Sequence, residues 1–223
     1  MGVVISKPAI NIREQLTELK AQQGYEERQF HFDNLVTNGT FDTDLTGWTL
    51  SASTPPTWNA AGTIQFNSDG ATFSDADQSF TTVVGATYQI SVEMVGTAQD
   101  IAVYIGNSQG SFAVLSETVV ATGTSTYYFV AEATTTWLRL RDGSGVSGIN
   151  QQIDNVSVYT SDGTGVAFTM PKGWKPLHVY DDGVLQREGS AEDYEVTFDG
   201  FNYYVKPTVA NPGARNTVIG VRA

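Results

Sequence analysis

The chain has 223 residues, 40% of them hydrophobic, with 22 glycines, seven prolines and no cysteine. That length suffices for one large β-sandwich with smaller pieces beside it, and the lack of cysteine excludes disulfides, thiolate nucleophiles and Cys-ligated zinc. The formal net charge is −12, and residues 33–160 hold two arginines, Arg139 and Arg141, against twelve acidic side chains and no lysine, a surface that repels phosphate backbones and excludes nucleic acid as a natural partner.

The chain opens with a short arm. Lys7-Pro8 disfavours helix just before it, and Asn11 with Glu14 has the spacing of a capping box. Ile12, Leu16 and Leu19 then fall at i, i+4 and i+7, one apolar stripe on a helix that Gly24 would stop. A helix of about a dozen residues is marginal in water on its own. The stripe must therefore lie on something: its own sandwich, sister copies, or a larger assembly. Residues 1–32 are read as an arm for attachment or oligomerisation. The first residues lack the long apolar region and cleavage site of a signal peptide, and no apolar run approaches the ~20 residues of a membrane span, so membrane insertion is not expected.

Residues 33–160 read as many short strands with period-two alternation. Over Ala86–Met94 one face carries Tyr88, Ile90, Val92 and Met94, and the other Gln89, Ser91 and Glu93. Ile101, Val103 and Ile105 mark a second core face, which leaves Tyr104 outside. In Trp137-Leu138-Arg139-Leu140-Arg141 the two leucines point inward, so Trp137 and both arginines point out. Such strands, with no convincing helix between them, indicate an antiparallel β-sandwich.

A specific resemblance lies at the two ends of this stretch. Leu35-Val36-Thr37-Asn38-Gly39-Thr40-Phe41-Asp42, followed by Leu45-Thr46-Gly47-Trp48, resembles the opening strand of a family of carbohydrate-binding jelly-roll modules. Gln152-Ile153-Asp154-Asn155-Val156-Ser157-Val158 resembles the closing strand of the same family. The resemblance implies a jelly roll with Trp48 in its core, and a structural calcium held by Asp42 and Asp154. The sequence departs by offering Asp42 where the family more often has Glu. Calcium is the one cofactor expected, because carboxylate oxygens are the ligands a hard cation prefers.

Residues 161–223 read as a small β-domain. Tyr180-Asp181-Asp182-Gly183-Val184 and Phe198-Asp199-Gly200-Phe201 each place Asp-Gly between strand-like residues, a strong hairpin signal. The stretch from Phe168 to Arg222 resembles a small β-domain of phage tail fibres, and Ile10–Leu16 looks like the opening of phage structural proteins.

No catalytic signature is present: no Gly-x-Ser-x-Gly, no phosphate-binding glycine loop and no His-Glu-x-x-His. The expected fold class is mainly β, with a short N-terminal helical arm, a central antiparallel jelly roll and a small C-terminal β-domain. The expected function is a non-enzymatic structural component of a phage virion, a capsid decoration, head-fibre or tail-fibre protein docked by Ile12, Leu16 and Leu19. Its partners would be other virion proteins and sister copies, in a homotrimer, and its place the particle. The alternative is a carbohydrate-binding module or adhesin for a cell-surface polysaccharide. Trp137, Tyr104 and Trp58 are the candidate aromatics, with Arg139 as a hydrogen-bond donor. The same aromatics could instead anchor a protein interface, where Trp and Tyr are enriched.

Overall fold

The computed structural model describes residues 27–51, 53–67, 69–95, 101–119, 122–142, 150–161, 165–181, 183–189, 192–208 and 216–222. The expected helix, with Ile12, Leu16 and Leu19, lies outside the described residues. In chain order the strands are β1 (Glu27–His31), β2 (Thr49–Leu50), β3 (Thr57–Asn59), β4 (Thr63–Asn67), β5 (Asp75–Thr81), β6 (Thr87–Val95), β7 (Ile101–Gly106), β8 (Leu115–Val119) and β9 (Gly123–Val130). They continue with β10 (Thr135–Asp142), β11 (Asn150–Thr160), β12 (Phe168–Thr169), β13 (Trp174–Asp181), β14 (Val184–Leu185), β15 (Tyr194–Phe198), β16 (Tyr203–Pro207) and β17 (Asn216–Arg222).

Ten of these strands make two five-stranded antiparallel sheets, ordered β2-β5-β10-β7-β8 and β3-β4-β11-β6-β9. Their inner faces are the apolar halves of the alternating patterns. Tyr88, Ile90, Val92 and Met94 of β6 face Ile101, Val103 and Ile105 of β7 and Leu138 and Leu140 of β10, all buried in one cluster. Period-two alternation puts successive side chains on opposite faces, so burying the leucines of β10 obliges Trp137, Arg139 and Arg141 to face outward.

The stretch Leu35–Asp42 is not the strand its sequence suggests. Asn38 and Phe41 adopt left-handed backbone conformations, with φ of 51° and 49°, which break an extended run. The segment still laces to the last strand of the sandwich. Leu35 N donates to Val158 O (3.0 Å), Val156 N to Gly39 O (2.9 Å) and Val158 N to Asn34 Oδ1 (2.9 Å). The left-handed turn drives Phe41 fully into the core, where its ring meets Trp48 at 5.5 Å. Trp48 is thereby a core residue, and its indole N donates to Asn38 O. Strand β11 carries its own irregularity, a register shift between Asp154 and Ser157 at Asn155, whose φ is 47°.

The remaining strands form a second unit of two sheets, β1-β17-β13-β14 and β12-β16-β15. Its core joins Phe168, Met170, Trp174, Val179, Tyr194, Val205 and Val218 to Tyr159 at the end of β11. The β13–β14 hairpin forms as the sequence suggests, with Asp181 opposite Val184 and Gly183 at φ +83°. One finding redraws the arm. Residues 27–31, placed by sequence with the 1–32 arm, pair with β17 from Glu27↔Val221 to His31↔Thr217. Phe30 and Phe32 then pack on Trp174 and Phe168, with ring centroids 5.2 and 5.1 Å apart. Across those 190 or so intervening residues, the edge of the C-terminal sheet is supplied by the start of the chain.

Candidate functional site: an aromatic and ion-paired sheet face

The outer face of β2-β5-β10-β7-β8 gathers three of the four sugar or interface candidates, Trp137, Tyr104 and Arg139. Register fixes the neighbours. Trp137 lies between Ser79 of β5 and Gly106 of β7, Arg139 between Asp77 and Tyr104, and Arg141 between Asp75 and Ala102. Trp137 and Tyr104 are therefore diagonal neighbours on one face, both half-buried.

The two arginines are clamped by the two aspartates across the strand pair. Arg139 Nε donates to Asp77 Oδ1 at 2.6 Å and Nη2 to Oδ2 at 2.7 Å. Arg141 repeats the pattern on Asp75, at 2.6 and 2.9 Å. Arg139 Nη1 reaches Asp75 Oδ2 at 3.3 Å and joins the two pairs into one ladder. Bidentate pairing of planar groups is the strongest form of such contacts. The hydrogen bond to Asp77, reinforced by the charges of Asp77 and Asp75 and opposed by partial burial, raises the Arg139 pKa above the ordinary arginine value. Arg139 was expected to offer donors to a sugar; the structure places three of its nitrogens on carboxylates.

Flat rings continue the row. The Arg141 guanidinium carbon sits 4.6 Å from the Phe73 ring centre and 5.9 Å from that of Tyr104, and Tyr104 meets Phe112 at 5.6 Å. Phe73 and Phe112, at the two ends, are 52% and 62% exposed. The loop between β7 and β8 folds back over this face. Gln109 Nε2 donates to Asp77 Oδ2 (2.9 Å). A Cβ on Gly110 would sit 3.2 Å from Arg139 Nη2, and one on Gly106 would strike Ser111, so both glycines are required by close approach. Sequence reasoning missed Phe73, Phe112, Asp75, Asp77 and Gln109, and placed Arg141 on the outer face without giving it a role. Strand parity of Asp75, Asp77 and Arg141 was a usable signal; the two phenylalanines lie on loops and gave none.

Trp58 stands apart. It belongs to β3 on the other sheet, opposite the buried Ile64, 40% exposed at the edge, and its indole N donates to Phe41 O at 2.6 Å.

Asp42 and Asp154 form a separate acidic group where the opening segment meets β11. Thr40 Oγ1 donates to Asp42 Oδ2 (2.7 Å), and Asn155 N to Asp154 Oδ1 (2.7 Å). Asn155 Nδ2 bridges to Glu93 Oε2 (2.7 Å). Burial pushes the Asp154 carboxyl above the usual aspartate range; the Asn155 amide opposes this, and the negative charges of Glu93 and Asp42 add to the rise. Among the described residues no group of three or more His, Cys, Asp or Glu side chains is placed to hold a metal ion. The oxygen donors suit a hard cation in kind, two carboxylates that already feel each other's charge.

No family model matches the chain, and no curated protein does. Several solved structures are similar to it. Arabinose-bound MgGH51 α-L-arabinofuranosidase is 12% identical over 57% of this chain, with a TM-score of 0.40. A CBM4 structure is 18% identical over 56% of this chain and 99% of its own, with a TM-score of 0.43. The enzymatically active domain of tailspike protein 4 from bacteriophage CBA120 is 16% identical over 57% of this chain, with a TM-score of 0.42. This chain spans 26% of the arabinofuranosidase chain and 21% of the tailspike chain. Each of these similarities covers a little more than half of this chain.

Proposed function

We propose that the chain is a non-enzymatic glycan-binding module that uses the outer face of β2-β5-β10-β7-β8. One observation carries the reading: Trp137 and Tyr104 of one sheet face, with Phe73 and Phe112 from adjoining loops, gather around the Arg–Asp ladder. Sugars present C–H faces to rings, and a rigid aromatic surface with fixed polar groups is what such recognition needs. The jelly-roll resemblance of Leu35–Asp42 and Gln152–Val158 supports the same reading.

The setting we propose is a phage particle, with the module displayed as a decoration or fibre protein in several copies. This rests on the resemblance of residues 168–222 to a tail-fibre β-domain and on the apolar stripe of Ile12, Leu16 and Leu19. Calcium at Asp42 and Asp154 belongs to the same proposal: a bound cation would offset the crowding of negative charge that raises the Asp154 pKa.

The test is Trp137→Ala in affinity electrophoresis through gels containing soluble polysaccharides, with light scattering on the same samples. Loss of retardation in a retarding gel, with mass unchanged, supports a glycan site. Unchanged retardation with a fall in oligomeric mass makes Trp137 an interface anchor and refutes the role assigned to it.

A further inference from the structure

The glycan reading leaves open which class of polymer the face takes, and the ladder bears on this. We propose that the face selects uncharged glycans, and that Asp75, Asp77, Arg139 and Arg141 are the residues that set this selectivity by cancelling one another's charge. The inference rests on the glycan-binding reading above and goes a step beyond it.

Two exposed arginines beside aromatic rings would ordinarily be a receptor for a carboxylate, sulfate or phosphate. Here each guanidinium is already engaged bidentately by a protein carboxylate, at 2.6 and 2.7 Å for Arg139 on Asp77 and 2.6 and 2.9 Å for Arg141 on Asp75. The cross-contact from Arg139 Nη1 to Asp75 leaves no member of the ladder charged without a partner. Its side chains are 4–23% exposed, so water screens these pairs less than it would on an open surface. An anionic sugar on this face would meet guanidinium groups whose charge is already matched by Asp75 and Asp77, on a chain whose net charge is −12, so it gains no net attraction.

Binding a neutral sugar requires no such exchange. Each guanidinium carries five N–H donors, and Arg141 Nη1 takes part in neither bond to Asp75. A hydroxyl can accept from it while the ladder stays intact. Phe73 and Phe112 flank the Arg141–Tyr104 stack with 52% and 62% of their surface open, and they are the rings a sugar would cover first. Gln109, bonded to Asp77, ties the overlying loop to the same ladder and keeps Asp77 from turning outward. Phe73 and Phe112 are thus the contact surface, and the four charged residues position it and close it to anions.

The experiment uses the full chain in affinity gels of two kinds, a panel of neutral polymers (β-glucan, galactomannan, arabinan) and polygalacturonate, each at low and high salt. The wild-type protein is expected to be retarded by at least one neutral polymer, equally at both salt levels, and to pass freely through polygalacturonate. Asp75→Asn frees Arg141, leaves Arg139 bidentate on Asp77, and is expected to gain at least a tenfold, salt-sensitive retardation by polygalacturonate. The double variant Asp75→Asn/Arg141→Gln is expected to lose that gain. Phe73→Ala, which keeps all four charged residues and removes the ring beside Arg141, should weaken retention by the neutral polymer about tenfold and keeps the idea testable should Asp75→Asn fail to fold. Retention of the wild-type protein by a neutral polymer, with no anionic gain in Asp75→Asn or no loss in Phe73→Ala, overturns this inference alone. Salt-sensitive retention of the wild-type protein by polygalacturonate also overturns it, since the arginines would then be receptors. Free passage of the wild-type protein through every gel overturns the glycan reading itself.

Discussion

Asp77 is the residue whose replacement should be felt most for its size. It is buried, accepts two hydrogen bonds from Arg139 and takes a third from Gln109. Asp77→Asn removes the charge that holds a partly buried guanidinium, while the shape of the side chain is kept. Deleting one partner of a buried ion pair costs about 3–5 kcal/mol, because the other is left charged and unpaired. Arg139 retains 16% exposure and its 3.3 Å approach to Asp75, so the loss should sit at the lower end, about 3 kcal/mol. In a chain of this length each kcal/mol moves Tm by about 2–4 °C, so the jelly-roll transition should fall by about 6–12 °C in circular dichroism melts. Asp77→Leu with Arg139→Leu should recover much of that loss, because no uncompensated charge remains. A cost for Asp77→Asn below about 1 kcal/mol, the range of exposed pairs, would refute the reasoning, as would strict additivity of the two leucine substitutions.

Two further predictions concern the ends of the sandwich. In cation-free buffer Asp154→Asn should raise the melting temperature, since it removes a carboxyl that burial, Glu93 and Asp42 all hold above its ordinary pKa. The native carboxyl keeps its proton to higher pH than the unfolded one, so this group's contribution to stability falls as pH rises from the ordinary aspartate range through the raised value, and returns on acidification. If Asp42 and Asp154 take calcium, the ion should stabilise the wild-type protein, chelator should reverse this, and Asp154→Asn should abolish the response; a wild-type Tm indifferent to both ion and chelator removes the site. Truncation gives a second measurement. A chain lacking residues 1–26 should keep both unfolding transitions, whereas one starting at Asp33 loses β1, with Phe30 and Phe32, and should melt earlier in the C-terminal unit. Light scattering of the same pair reads whether the stripe of Ile12, Leu16 and Leu19 carries oligomer formation: a mass unchanged by removing residues 1–26 refutes that role.

Strand parity was the part of this molecule most open to reading. In β6 and β10 the core positions alternate with polar ones, and in β7 Ile101, Val103 and Ile105 alternate with Ala102 and Tyr104, so sequence and structure agree on these inward-facing residues. That agreement put Trp137, Tyr104 and Arg139 on the surface together. It could not show what they touch there. Asp77 and Arg139 are 62 residues apart, and Asp75 and Arg141 are 66 apart, so their pairing depends on the β5–β10 register, which no local pattern encodes. Trp58 shows a different limit. Its neighbours in sequence look like any short strand, but β3 is an edge strand with Trp58 on the core-facing side, and the indole closes against the carbonyl of Phe41.

The strand at Glu27–His31 shows the same limit more sharply. Glu27-Arg28-Gln29 looks like a polar linker because an edge strand buries little on its open side, and its apolar members, Phe30 and Phe32, come too late to reveal a pattern. Its partner β17 lies at the far end of the chain, with Val218 buried and Gly220 leaving room for the Phe30 ring and Met170. A Cβ at Gly220 would come within 2.9 Å of Phe30 Cε2, so the fit of the first strand on the last is written in a glycine that the sequence alone marks only as another turn residue. The consequence for function follows from this pairing. If residues 1–26 dock the protein, as proposed above, they join the fold through β1, which pairs with β17 from Glu27↔Val221 to His31↔Thr217. On that proposal the sheet that carries the ion-paired aromatic face, β2-β5-β10-β7-β8, shares no strand with the sheet that β1 joins.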